Sequence, residues 1–440
     1  MLAKLSLIAV SLIFYGFYGG LSFAVLMIDT VVNWFLSRLL CRESGHRKVL
    51  LFLSVTVNVL LLLYFKYWDF FAVTVHADEF VRNIALPMGI SFYTFQQIAW
   101  LVDSYRGETG DYSPVDYAVF VLYFPKLVMG PIILHDEFIP QLNDEKRFRV
   151  NYEKLSVGFL WFVCGLFKKT VLSGIFNGGA DWGFSSIDTL TLTESWLCAV
   201  SYSFQLYFDF SGYCDMALGI SRMFNLDLPI NFNSPYKSLS ITEFWKGWHM
   251  TLTRFLRKYI YFPLGGSRKG NFRTYLNIMI IFVISGFWHG AEWTFIIWGA
   301  LHGVVMVLNR MIRKQWDSLH AAFRWIVNFL IVVVGWVFFR ADNISDALKY
   351  LGRMADTSDL NLSGDFYNSF GLYHYPFIKE HLNLAIPFVF AVALFMLLNT
   401  ENVCERKYKP GPVTGILAVI LFLGCFMMMS DVATFVYFAF

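Results

Sequence analysis

The chain has 440 residues, of which 57% are hydrophobic, 19% aromatic and 15% charged, and its formal net charge is +3. A water-soluble fold cannot bury so much apolar surface, and disordered, coiled-coil and disulfide-stabilised secreted proteins have other compositions. So small a charge over so long a chain provides no basic face for nucleic acid. Long uninterrupted apolar runs also exclude an outer-membrane barrel, whose strands alternate apolar and polar residues.

Eleven apolar runs approach the ~20 residues that a helix needs to cross a bilayer. The first run resembles the core of a signal peptide, but no small-residue cleavage site follows it, so we interpret it as a retained span. The sequence therefore predicts an all-α polytopic membrane protein with a single domain over residues 1–440. The predicted spans are residues 5–18, 21–37, 49–64, 84–102, 155–176, 196–220, 278–292, 293–307, 325–339, 384–399 and 413–429.

Lysine and arginine collect in five segments, and an excess of these residues marks the cytoplasmic side of a membrane protein. These segments are residues 38–48, 146–154, 237–273, 310–314 and 406–409. Residues 340–380 instead carry four basic and six acidic side chains. We therefore predict that the loop 340–383 and the carboxyl terminus lie outside the cytoplasm.

Residues 117–134 would reverse this orientation if they crossed the membrane. Pro125 and Pro131 interrupt the segment, and each proline removes a backbone donor that lipid cannot replace. We predict a re-entrant segment that is buried against protein.

Residues 221–273 are too polar to span and are predicted to form a cytoplasmic interfacial region. An amphipathic run over residues 249–262 carries Arg254, Arg257 and Lys258. Such a run predicts one helix lying in the plane of the interface.

His289 is an ionisable side chain at membrane depth, where such groups are expensive and mark functional sites. It follows Arg273 by sixteen residues, which at ~1.5 Å per residue places it about 24 Å into a ~30 Å apolar core. Gly286 and Gly290 flank it and allow another chain or a ligand to approach the backbone.

Two further histidines accompany His289. On a continuous helix, His302 would lie roughly 220° around the axis from His289, so the two are expected to face different ways. His249 belongs to the predicted interfacial helix and is placed at the cytoplasmic mouth. Spacings of 40 and 13 residues match no zinc motif, so we predict no metal.

A polar cluster lies inside the predicted span 196–220. It contains Gln205, Asp209, Ser211 and Asp215. Proton-coupled transporters carry such carboxylates, so a transporter is the rival hypothesis, although the two similar halves expected of many transporters are not visible. The alternative is that these side chains hold helices together by buried hydrogen bonds.

Eight motifs occur in one order along the chain. Together they resemble the membrane-bound O-acyltransferase family, and within it the bacterial alginate O-acetyltransferase branch; the D-alanyl transfer protein of teichoic acid shares much of the pattern. The motifs are residues 89–107 (GISFYTFQQIAWLVDSYRG), 124–131 (FPKLVMGP), 207–219 (YFDFSGYCDMALG), 231–236 (NFNSPY), 244–253 (FWKGWHMTLT), 261–268 (YFPLGGSR), 286–290 (GFWHG) and 335–341 (GWVFFRA).

The resemblance implies a bowl of tilted helices around a central tunnel, with a family core over about residues 60–345. His289 matches the family histidine, and His249 matches a second histidine of the bacterial branches. The resemblance thus implies His289 as the general base and His249 as the residue that aligns the donor or completes a proton relay. Side chains of the same motifs and of the polar cluster are expected along the tunnel: Gln96, Gln205, Asp209, Ser211, Asp215, Asn231, Asn233, Trp245, Trp248, Trp288 and His302. Glu292, one turn from His289 on a continuous helix, is a candidate for orienting the imidazole.

A thioester donor, either acetyl-CoA or an acyl carrier protein, is expected on the cytoplasmic side, with no permanently bound cofactor. The resemblance further implies the bacterial inner membrane, an extracytoplasmic partner acyltransferase and a polysaccharide or cell-wall glycan as final acceptor. D-alanyl transfer towards teichoic acid is the alternative reaction.

Overall fold

The computed structural model describes residues 1–42, 45–372, 376–406, 408 and 411–429, and within them the chain forms helices and no β-strand. Three π-helical turns, Leu63–Tyr67, Lys168–Leu172 and Arg257–Tyr261, join or extend α-helices. The α-helices are α1 Leu2–Gly16, α2 Gly20–Cys41, α3 Arg47–Leu62, α4 Trp68–Thr74, α5 Ile90–Arg106, α6 Pro114–Leu122, α7 Phe124–Leu127, α8 His135–Asn143, α9 Tyr152–Phe167, α10 Ser173–Ser185, α11 Leu192–Met223, α12 Ile241–Gly247, α13 Met250–Leu256, α14 Gly270–His289, α15 Trp293–Met311, α16 Arg313–Asp317, α17 Ala321–Arg340, α18 Ile344–Arg353, α19 Gly364–Ser369, α20 Pro376–Lys379, α21 Leu382–Asn399 and α22 Pro412–Met427.

Each predicted span overlaps one of these helices or a continuous pair of them. Within the residues that the structure describes, six helical stretches are both long and apolar enough to cross a membrane, and α1 and α22 are shorter apolar helices. The six are Gly20–Cys41, Arg47–Thr74, Tyr152–Ser185, Trp293–Met311, Ala321–Arg340 and Leu382–Asn399. The all-α polytopic class is therefore confirmed, whereas eleven crossings stays a prediction.

The helices group into two units. The first contains Met1–Phe162, Met216–Ile230 and Arg254–Ile260, and the second contains Val163–Asp215, Asn231–Thr253 and Tyr261–Phe440.

In the first unit, the segment that prolines were predicted to interrupt is broken twice. Helix α6 ends at Leu122, α7 covers only Phe124–Leu127, and residues 128–134 are not helical. The segment is buried, and Gln96 ties it to α5 by donating to the Phe120 carbonyl (3.0 Å) and accepting from the Lys126 ammonium. A protein side chain thus satisfies a carbonyl near the broken end of α6, as a re-entrant segment requires.

The predicted helix over residues 249–262 is confirmed as one continuous helical stretch, whereas its placement in the plane of the interface stays a prediction. Helix α13 ends at Leu256, and a π-helical turn follows. The cations of this stretch bind acids within the first unit: Arg254 pairs in a bidentate manner with Glu137, and Lys258 donates to the fully buried Asp103 (3.1 Å). These ion pairs therefore hold this helical stretch to the rest of the first unit.

In the second unit, α14 and α15 form an antiparallel pair with backbone contact. A Cβ atom on Gly286 would lie 2.2 Å from the Phe295 carbonyl oxygen, and one on Gly299 would lie 2.3 Å from that of Phe282. The glycine before His289 therefore admits a neighbouring helix of the same chain.

We expect Gly286→Val to destabilise this pair by about 1–3 kcal/mol or more, because no side chain fits between the two backbones. Thermal midpoints of the detergent-solubilised protein measure the effect. Gly415→Val is the matched control, since nothing lies within 4 Å of its Cβ position on α22. Equal midpoints for the two variants would contradict the packing described.

The loop 340–383 is folded rather than extended and includes α18 and α19. Its backbone meets the start of α11, where Leu192 N–H donates to the Asp359 carbonyl (3.0 Å) and Ser363 N–H donates to Glu194 (2.7 Å). Residues 373–375 of this loop, and Lys407 and Lys409 of the last basic segment, lie outside the described residues.

Orientation is open to a direct test at two exposed residues, Lys269 and Asp359. With the exposed Cys41 replaced by serine, we expect a membrane-impermeant maleimide to label Asp359→Cys but not Lys269→Cys in intact cells, because basic segments stay in the cytoplasm. Both should react after the membrane is permeabilised. Labelling of Lys269→Cys alone in intact cells would reverse the topology.

Candidate active site

Two histidines that are 40 positions apart in the sequence meet in the second unit. The ring centres of His249 and His289 are 6.4 Å apart, and the residues are 1% and 5% exposed. The predicted separation, with His249 at the cytoplasmic mouth and His289 deep in the apolar core, is therefore wrong. His289 is the last residue of α14, whereas His249 lies in the break between α12 and α13.

The break places His249 in an unusual backbone conformation, with φ of 43°. A non-glycine residue adopts this region at a cost, so the surroundings must enforce it. Asn231 does so from a neighbouring segment: its carbonyl accepts from Met250 N–H (2.9 Å) and its side-chain Oδ1 accepts from Thr251 N–H (3.2 Å). One asparagine thereby fastens the first turn of α13 and, with it, the direction of the imidazole.

The same asparagine sets the proton arrangement on His249. Asn231 Oδ1 lies 3.1 Å from His249 Nδ1 and also accepts from the Thr251 hydroxyl (2.9 Å), while its Nδ2 donates to Cys214 Sγ (3.4 Å). Because a backbone N–H can only donate, the bond from Thr251 N–H identifies Oδ1 as the acceptor, and Nδ1 of His249 must then carry a proton. Burial lowers the pKa of His249 to about 3, so the ring is neutral and its lone pair is on Nε2.

Aromatic rings enclose the two imidazoles. Phe210 meets the His249 ring edge-on at 4.9 Å, and Trp288 lies 6.1 Å from it. Trp298 and Phe339 each lie 5.2 Å from the His289 ring. Aromatic side chains therefore pack against both imidazoles.

His302 is close to the pair but separate from it. Trp298 lies between the two histidines of α14 and α15, with its ring 5.2 Å from His289 and 5.0 Å from His302. The predicted angle between His289 and His302 requires one continuous helix, but the chain reverses at residues 290–292. Within the described residues neither ring nitrogen of His302 has a hydrogen-bond partner, and Gly335 makes room for the ring, so we interpret His302 as a packing residue.

Three other predicted tunnel residues lie next to the histidine pair and help to hold it in place. Trp245 packs against His302 (5.2 Å), and Trp248 stacks on Phe244 (5.5 Å). Asn233 is exposed, and its N–H donates to the Gly247 carbonyl (2.8 Å). These contacts secure α12, which precedes His249. Glu292 is exposed and lies just before α15, so its position does not support the predicted role in orienting the His289 imidazole.

The two aspartates in the middle of α11 are bound to lysines. Asp209 pairs with Lys169, and Asp215 accepts from Lys168 Nζ at 2.6 Å. Further along the same helix, Gln205 donates to Asn177, and Ser211 is buried. These polar residues therefore tie α11 to the π-helical turn Lys168–Leu172 and to α10, which favours the structural interpretation over a proton path.

Sequence motifs indicated Asn231 and Trp288, but not the two lysines or the other side chains that contact the imidazoles. The sequence did contain a signal for Lys168 and Lys169, because adjacent cations inside the predicted span 155–176 require acidic partners. Thr251 and Cys214 gave no such signal, because their roles arise only from contact with Asn231. Gln96, by contrast, lies in the first unit, where it holds the broken segment. Among the described residues, no three His, Cys, Asp or Glu side chains gather as metal ligands would.

A buried pair of imidazoles, one with a fixed tautomer, is suited to moving a proton between two reactants. The profile of the membrane-bound O-acyltransferase family matches residues 10–343, which include both histidines. The chain belongs to this family. The resemblance seen in the sequence motifs is thereby confirmed, and the chain is a membrane-embedded O-acyltransferase.

Relatives of this acyltransferase are named as O-acetylating enzymes and as D-alanyltransferases. It is 36% identical to the peptidoglycan O-acetyltransferase of Helicobacter pylori, over 99% of this chain and 91% of the relative. It is 38% identical to the probable alginate O-acetylase of Azotobacter vinelandii, over 82% of this chain and 74% of the relative. Identity to the teichoic acid D-alanyltransferase of Streptococcus thermophilus is 27%, over 54% and 59%.

Proposed function

We propose that this acyltransferase moves an acetyl group from a cytoplasmic thioester, acetyl-CoA, towards O-acetylation of a polysaccharide or cell-wall glycan outside the cytoplasm. The pairing of His249 and His289 within 6.4 Å carries the proposal, because thioester-to-hydroxyl transfer needs a base beside the hydroxyl. The names of the two similar O-acetylating relatives support acetyl as the group that is moved.

In the proposed reaction, His289 takes the proton of the acceptor hydroxyl as its oxygen attacks the thioester carbonyl. The C–O bond forms, the C–S bond breaks, and the departing thiolate receives the proton from the imidazolium. The products are an ester and a free thiol, and no net proton is released.

His249 plays a narrower part in this scheme than the sequence suggested. With its lone pair on Nε2, the neutral ring accepts a hydrogen bond at that atom and does not donate one to a thioester carbonyl. A single oxygen atom that hydrogen-bonds at ~2.8 Å to each ring could bridge imidazoles whose centres are this far apart. Because the acceptor hydroxyl has a single proton, which His289 takes, we assign His249 to completing a proton relay with His289 through such a bridging oxygen.

In the proposed reaction, the donor and the acceptor reach the site from opposite sides of the membrane. The donor enters from the side of the basic segments, and the acceptor, or a partner acyltransferase that hands the acetyl group on, approaches from the other. The central tunnel that the family resemblance implies would join the two sides. A bacterial inner membrane suits this arrangement, since it separates acetyl-CoA from envelope glycans.

Deletion of the gene in its native host tests the reaction. We expect acetate released by mild base from the exopolysaccharide or cell wall to fall to background and to return on complementation. Loss of D-alanyl esters with unchanged acetate would replace this proposal by D-alanyl transfer. Complementation with a Gly415→Ala chain controls for expression, since that position is open.

A further inference from the structure

Two adjoining cavities in the first unit form a site that is separate from the histidine pair and independent of the proposed reaction. Their volumes are about 460 and 740 Å³, and five residues line both of them. Each is in the ~300–1,000 Å³ range of sites that hold small molecules. The shared residues are Arg147, Arg149, Val150, Asn151 and Asn225.

The smaller cavity is mainly apolar and opens along α1. Leu7 and Val10 of that helix line it together with Leu155 of α9 and Phe224 just after α11. Val10, Leu155 and Phe224 are between 43% and 48% exposed. In a protein that spans a membrane, such an apolar opening meets lipid chains.

The larger cavity is polar and cationic. Four basic side chains line it against two acids, Asp144 and Asp227. Asp227 is already paired with Lys154 (2.7 Å) and Arg222 (2.9 Å), so it does not neutralise the remaining cations. The basic residues are Lys146, Arg147, Arg149 and Lys154.

Arg147 stands at the junction of the two cavities. It makes no ion pair within the described residues, and its Nε and Nη1 are buried there without a hydrogen-bond partner. Its backbone is nevertheless fixed, because Asn225 Nδ2 donates to the carbonyls of Arg147 and Arg149, each at 2.9 Å. A partly buried guanidinium with unmet donors, carried on a backbone that is held in place, is a binding group for a phosphate.

We propose that these cavities bind one anionic phospholipid, with an acyl chain along α1 and the phosphate at Arg147. The charge of the polar cavity favours an anionic over a zwitterionic headgroup, and the apolar cavity has no role for a free phosphate. The basic segment 146–154 is predicted to face the cytoplasm, where anionic lipids attract basic residues beside the membrane. The bound lipid would join α1 to the segment before α9 and to the end of α11.

Native mass spectrometry of the detergent-solubilised full-length chain tests this proposal with phosphatidylglycerol and phosphatidylcholine of identical acyl chains. We expect phosphatidylglycerol to bind at least about tenfold more tightly, and Arg147→Gln to remove about tenfold of its affinity, since charge-assisted hydrogen bonds are lost. Arg313→Gln is the matched control, because Arg313 is 79% exposed in its side chain and lines neither cavity.

A second variant, Ala3→Phe, fills the apolar cavity and should weaken phosphatidylglycerol binding while leaving the cationic side chains intact. Equal binding of the two lipids, or unchanged binding in both Arg147→Gln and Ala3→Phe, would overturn the proposal. Glycerol phosphate that competes as well as phosphatidylglycerol would reduce the site to an anion site and would likewise overturn it.

Discussion

Replacing His289 with alanine is expected to lower kcat for acyl transfer by roughly 10²–10⁴-fold, or about 3–5 kcal/mol of activation free energy. The proposed base is lost, whereas the surfaces that bind the donor remain, so the KM for the thioester should change little. The measurement is thiol release and acyl transfer by purified protein in nanodiscs, with the thioester concentration varied.

His302→Ala is the matched control for this experiment, because His302 is equally buried and also packs on Trp298. It should reduce stability yet leave kcat within a few-fold of the parent. A His289→Ala protein that is normally inserted and still supports full acylation would refute the assignment of the base. Loss of activity only on neutralising Asp209 or Asp215, with His289→Ala active, would instead favour the transporter hypothesis.

Removing the Asn231 side chain is expected to lower kcat by about 10²-fold, because small misplacements of a catalytic group have effects of this size. Asn231→Ala frees the His249 tautomer and loosens the start of α13. Asn231→Asp keeps an acceptor for Nδ1 and for both Thr251 donors, so it should recover most of the rate. Thr251→Ala removes one donor and leaves the tautomer fixed, and it serves as the control.

The same kinetics separate the two imidazoles. His249→Ala should lower kcat, and adding it to His289→Ala should cost little more, because groups that act in one step are not additive. A double variant whose loss is the product of the two single losses would show that the histidines work independently. A loss in His249→Ala with none in His289→Ala would move the base to His249.

Much of the architecture could be predicted from the sequence because it depends on local composition. A long apolar run forms a helix in lipid regardless of its neighbours, so the predicted spans overlap helices of the structure. Pro125 and Pro131 predicted the broken segment for the same reason, since each proline interrupts the helix at its own position. Each of these features is decided within a few residues.

The relation between His249 and His289 could not be predicted in this way. It depends on the left-handed backbone of His249, which a helical pattern conceals, and on a distant acceptor, Asn231. The reversal at residues 290–292 likewise invalidated a helical wheel drawn through His302. In each case the deciding contact joins segments far apart in the chain, whereas periodicity reports only on one element.

The rings around the paired imidazoles have a consequence for which molecule receives the acyl group. Water is itself a hydroxyl nucleophile, and a base that activates a sugar hydroxyl would activate water equally well. Phe210 and Phe339 present carbon surfaces that offer no hydrogen bond to a water molecule beside the reacting carbonyl. Under the proposed chemistry, protection of the thioester from hydrolysis therefore resides in the aromatic walls and not in the histidines.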